Sequence, residues 1–139
     1  MRPLLALAAA TLAVAAFLPH QAQDVVVHAE CAGAKLGAHS VEPDTVMVAQ
    51  GSDVDWELDE SSTATDLTVQ PKQLGHWPYG NNAHFRGGHG HAHRAHAGGN
   101  SMNQHAAGTY PYSIQLSCPD GHGGSTSVEI DPTIIVHGG

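Results

Sequence analysis

Asp53–Asp59 reads D-V-D-W-E-L-D. Apolar and acidic residues alternate strictly, with Val54, Trp56 and Leu58 on one side and Asp53, Asp55, Glu57 and Asp59 on the other. Period two is the pattern of a β-strand with one buried face, and here it predicts an acidic outer face. Gln50-Gly51-Ser52-Asp53 supplies the turn before this strand. Before the turn lies a β-branched run, Thr45–Ala49 (TVMVA), introduced by Pro43-Asp44.

The same grammar extends in both directions. Asp24–Ala29 (DVVVHA) is short and β-branched, and Asp66–Gln70 (DLTVQ) points Leu67 and Val69 inward before Pro71. Thr109–Cys118 (TYPYSIQLSC) places Tyr110, Tyr112, Ile114, Leu116 and Cys118 on one face. Pro111 lacks a backbone donor, which predicts an edge position for the start of that strand. Ser127–Ile130 and Thr133–Val136 read as one last strand broken at Asp131-Pro132. No amphipathic helix stands out. Short strands separated by turn signals predict an all-β sandwich or barrel.

The amino terminus differs. Arg2 precedes a run from Leu4 to Leu18 that is apolar except for Thr11, too short to span a bilayer as a helix but suited to a secretory signal. We expect residues 1–22 to be a signal peptide and residues 23–139 a single β-domain, exported to a periplasm or secreted, with no membrane attachment after cleavage. Removing Arg2 moves the formal charge from −8 to −9. Such acidity disfavours nucleic acid as a partner. In an exported chain the two cysteines, Cys31 and Cys118, are expected to form a disulfide. Closing 86 intervening residues is worth about 4–5 kcal/mol in the chain-entropy model.

Residues 72–108 break the strand pattern. The segment includes HFRGGHGHAHRAHAGGNSMNQH, rich in Gly, His, Ala and Asn. It has little apolar surface to bury and predicts a mobile inserted loop, with Trp77, Pro78 and Tyr79 pinning its near end to the sandwich. Seven of the chain's 12 histidines fall between His76 and His105. No Asp or Glu occurs between Asp66 and Asp120, whereas Lys72, Arg86 and Arg94 do.

Neutral imidazole is a ligand for Cu(II), Ni(II) and Zn(II), and the Gly and Ala between the histidines offer little steric resistance to convergence on an ion. His84, His89, His91, His93, His96 and His105 are therefore the candidate metal ligands, with Met102 available as a soft donor to Cu(I). The lack of carboxylates argues against Ca²⁺ and Mg²⁺. Copper leads by the Irving–Williams order, with nickel or zinc as alternatives. Against this stands a bland reading, a solvated histidine-tolerant loop that binds no metal at all. His28, His39 and His137 read as surface or rim residues. The chain has no HExxH, G-x-S-x-G, Walker loop or C-x-x-C, so it is not read as an enzyme. A protein partner is not legible.

Three stretches together resemble the cupredoxins, the plastocyanin-like copper proteins. They are V-E-P-D-T-V-M-V-A-Q-G-S-D-V-D-W-E-L from Val41 to Leu58, G-T-Y-P-Y-S-I from Gly108 to Ile114, and V-E-I-D-P-T-I-I-V from Val128 to Val136. The resemblance implies a Greek-key β-sandwich of seven or eight strands. It also implies a copper site of two His and one Cys, usually with an axial Met. The aligned positions hold Thr65 or Asp66, Ile114 and Ser117, so those ligands are missing. A shifted alignment offers Cys118 and His122 in Cys-Pro-Asp-Gly-His, which would make the protein a blue-copper electron carrier. A third possibility is a structural or interaction module without metal.

Overall fold

A computed structural model describes residues 23–87, 93–97 and 107–138. The expected signal peptide, at residues 1–22, lies outside the described residues. Ten strands follow in chain order: β1 (Gln23–Ala32), β2 (Lys35–Glu42), β3 (Thr45–Ala49), β4 (Ser52–Leu58), β5 (Thr65–Pro71), β6 (Phe85–Gly87), β7 (His93–Ala97), β8 (Gly108–Pro119), β9 (Ser125–Ile130) and β10 (Thr133–His137). One short 3₁₀ turn, Gly80–Asn82, precedes β6. No helix among the described residues is long and apolar enough to cross a membrane.

The strands form two sheets packed as a sandwich. One runs in the order β2-β1-β4-β7, the other β3-β10-β8-β5-β6, with β9 also paired to β8. Two neighbouring pairs are parallel, β1 with β4 and β3 with β10. Gly51 makes the turn from β3 to β4 at φ +82°, a conformation that costs glycine little.

The alternation in the sequence translates directly into the core. Val54, Trp56 and Leu58 from β4 are fully buried, as are Leu67 and Val69 from β5 and Tyr112 and Ile114 from β8. Val25 and Val27 of β1 and Ile134 of β10 complete the interior. Fully burying each such side chain contributes about 1.5–3 kcal/mol.

Several expectations need correction. Pro111 is not on an edge strand, because β8 is flanked by β10 on one side and β5 on the other. The proline is tolerated because it sits just beyond Tyr112, where the β5 ladder ends, and its carbonyl accepts from the Lys72 backbone N–H at 3.3 Å. The outer face of β4 is not uniformly solvent-exposed either, since Asp55 is buried. β2 was not foreseen. It is an edge strand in which only Val41 is buried, so it carries almost no alternation signal. By contrast, β9 and β10 do follow one track along β8, pairing with Ile114–Pro119 and Gly108–Pro111 respectively, with the break at Asp131-Pro132.

Residues 72–108 are not structureless throughout. β6 pairs with β5, and β7 pairs with β4, from Ser52↔Ala97 to Trp56↔His93. Without β7, one side of β4 would present a row of unpaired backbone groups. Trp77, Pro78 and Tyr79 are buried and pin the near end of the segment.

Cys31 and Cys118 are joined by a disulfide, with their Cα atoms 5.6 Å apart. It ties the end of β1 in one sheet to the end of β8 in the other. Such a bond fits a non-cytoplasmic environment.

Candidate functional site

The insert grows from an aromatic base. Trp77 donates its indole N–H to the Ala83 carbonyl at 3.0 Å, closing the loop around the 3₁₀ turn. Trp77 meets Tyr79 edge-on at 5.1 Å between ring centroids, and Tyr79 meets Phe85 edge-on at the same separation. Phe85 stacks on Trp56 at 5.8 Å. The first residues of the insert are thus fixed to the core by the face of β4 that holds Trp56. Burial pushes the Tyr79 phenol far above its ordinary pKa, with Tyr112 and Asp53 adding to the shift.

The candidate histidines divide into three groups. His84 is exposed, immediately before β6. His93 and His96 lie on β7, opposite Trp56 and Asp53 of β4 respectively. His89, His91 and His105 lie outside the described residues, as does Met102. Among the described residues, no group of three or more His, Cys, Asp or Glu side chains is gathered to hold a metal ion.

His76, at the base of the insert, is held differently. Its Nε2 lies 3.0 Å from the Thr109 carbonyl, which can only accept, so Nε2 carries the proton. Its ring lies against Tyr110, at 4.6 Å between centroids. Nδ1 is left with the lone pair, in the form that metal-binding histidines adopt when a carbonyl fixes the opposite nitrogen.

The positions at which the resemblance would place copper ligands hold no ligand set. Thr65 and Ser117 are cross-strand partners at a bulge that leaves Asp66 at φ +53°. Ile114 is wholly buried in the core. At the shifted position, the Cys118 sulfur is bonded to Cys31 and supplies no thiolate. His122 stands on the exposed β8–β9 turn, where its backbone N–H donates to Asp120.

Two polar clusters escaped the sequence reading. In the first, His28 is half-buried, and its Nδ1 lies 3.1 Å from both the Asp59 carboxylate and the Ser61 hydroxyl. Ser61 also donates to Asp59, and these two contacts hold the Asp59 carboxyl below its usual range. A Ser-His-Asp relay needs serine and aspartate on opposite ring nitrogens. Here both use Nδ1, so the cluster is a structural clasp between β1 and the turn after β4.

In the second, Lys72 Nζ lies 2.7 Å from Glu129 and 2.6 Å from Asp131, and the Ser113 hydroxyl donates to Glu129 at 2.6 Å. The Lys72 contact and then the Ser113 hydrogen bond pull the Glu129 carboxyl down to about 2. Both clusters join residues far apart in sequence, and neither carries a local spacing signal.

No protein-family model matches this chain, and no curated protein sequence matches it.

Proposed function

We propose that this is an exported, cupredoxin-like binding protein that takes up a transition-metal ion through its histidine-rich insert, for buffering, delivery or tolerance of that metal. The observation that carries the reading is the composition of the insert. Seven histidines lie between His76 and His105, in a stretch where carboxylates are absent from Leu67 to Pro119. Copper is the first choice among ions, then nickel or zinc. His84, His89, His91, His93, His96 and His105 are the proposed ligands.

The support from the fold is indirect. The all-β sandwich of two sheets is the fold class the cupredoxin resemblance implies, although the ten strands among the described residues exceed the seven or eight it implies. The insert is anchored at its base by the Trp77–Tyr79–Phe85 cluster and through β7 on β4, which joins the segment carrying His84, His93 and His96 to the sandwich. The disulfide is consistent with export.

An electron-carrier reading through Cys118 and His122 lacks its thiolate, since a type 1 copper site needs one and Cys118 is bonded. A module that binds a protein partner without metal is the remaining rival. The test is copper titration of the protein against a variant in which the six proposed ligands are changed to Asn. Replacing the whole stretch with Gly and Ser would remove β6 and β7 as well as the histidines, so point substitutions are the better choice.

A further inference from the structure

β7 pairs with β4 and lies at the edge of the four-stranded sheet. Its register is continuous, with Trp56↔His93, Asp55↔Arg94, Val54↔Ala95 and Asp53↔His96. Directly opposed residues of an antiparallel pair share a face, and successive residues of one strand alternate between faces. Val54 and Trp56 are fully buried in the core, so Asp53 and Asp55 belong to the other face of β4. His93 therefore holds a position on the core side of the sheet, and His96 one on its outer side.

The strand itself keeps two of the six proposed metal ligands apart. Three residues of extended chain set their Cα atoms about 10 Å from each other, and the sheet lies between the faces they occupy. A zinc–imidazole bond is only about 2.0–2.1 Å long. No single ion can take both histidines while β7 stays paired. The pairing is also weakly favoured by sequence. His-Arg-Ala-His-Ala is five residues long and holds no β-branched residue and no Tyr, Phe or Trp, the types that suit a strand.

We infer that β7 is a metal-released strap: within the function proposed above, on which this rests, uptake of one ion by both His93 and His96 detaches β7 from β4. Pairing then opposes binding, and binding opposes pairing by the same factor. A binding-competent state that is populated only in part lowers the apparent affinity by that fraction. Re-pairing of β7 thus helps the insert to give up its ion, and it covers the side of β4 that is otherwise a row of unpaired backbone groups.

The experiment measures hydrogen exchange of the full chain by mass spectrometry, without metal and with Cu(II), while calorimetry records copper uptake in parallel. Exchange in residues 52–58 is expected to speed up about tenfold or more at copper saturation, because β4 loses the partner on one side. β8, in the other sheet, should keep its metal-free rate and so show that the sandwich is intact. His93→Asn and His96→Asn, each made alone, should still bind copper through the remaining histidines but no longer speed exchange in β4. Bound copper with β4 exchange unchanged or slowed would overturn the strap and leave the metal-binding reading standing. So would an undiminished response in either variant. No copper uptake at all would remove both.

Discussion

The indole N–H of Trp56 donates to the Tyr112 hydroxyl at 3.1 Å, linking β4 in one sheet to β8 in the other through the centre of the core. Both side chains are fully buried. A buried donor stripped of its acceptor costs about 1–3 kcal/mol. Tyr112→Phe removes that acceptor while keeping the ring, so it should destabilise the fold by that amount. Urea denaturation with an unchanged m-value is the check. A Tyr112→Phe midpoint equal to the parent's would mean that this bond adds nothing to stability.

The disulfide between Cys31 and Cys118 closes most of the domain into one loop. Its removal by the paired change Cys31→Ala and Cys118→Ala should cost about 2–5 kcal/mol. The effect should be matched by a reductant acting on the parent protein. Thermal unfolding with and without reductant measures it, and the paired variant should be indifferent to the reductant.

Acid stability should carry the signature of Glu129. Its folded-state carboxyl titrates at about 2, held down first by Lys72 and then by Ser113, against an ordinary value of 4.5. A depressed carboxyl contributes stability above its unfolded pKa and loses it as pH falls through the folded one. The loss therefore lies between about pH 4.5 and pH 2. The group is partly exposed, with 42% of its side-chain area open, so solvent screening keeps the contribution to less than about 1 kcal/mol. Glu129→Gln should flatten that part of the stability–pH curve and leave stability unchanged in shape above pH 5.

How far the sequence foretold these features depends on whether a signal is local. Strands β4, β5 and β8 announced themselves because Val54, Trp56, Leu58, Leu67, Val69, Tyr112 and Ile114 alternate with polar residues, and all of them are buried. β2 gave no such signal, because an edge strand with only Val41 buried has no periodicity to read. β6 and β7 were hidden for a different reason. Phe85–Gly87 and His93–Ala97 have weak strand propensity and are fixed by register against β5 and β4, a relation that no local window contains. Asp55 is buried where the sequence alone predicted solvent.

The cysteine pairing was legible from compartment and is found as a disulfide, whereas the histidine-rich composition was legible without any metal-holding group being gathered among the described residues. The clasp of His28, Asp59 and Ser61 was not, because His28 reaches its partners across more than 30 positions of chain. The fixed tautomers of His39 and His76 likewise depend on carbonyls that the fold delivers.

Protons compete with metal for imidazole nitrogen. Copper affinity of the insert should therefore fall as pH drops through the ordinary histidine range near 6.5. Affinities compared at pH 7.5 and pH 5.5 in a non-coordinating buffer provide the check. A copper affinity that is flat over this range would point to ligands other than histidine.

The central claim is that the insert histidines, rather than the sandwich, take up the metal. It is tested most directly by calorimetric titration of Cu(II) into the parent protein and into the variant with His84, His89, His91, His93, His96 and His105 all changed to Asn. The account predicts tight binding by the parent and an affinity lower by about a hundredfold or more in the variant. Equal affinity in the two proteins would contradict it.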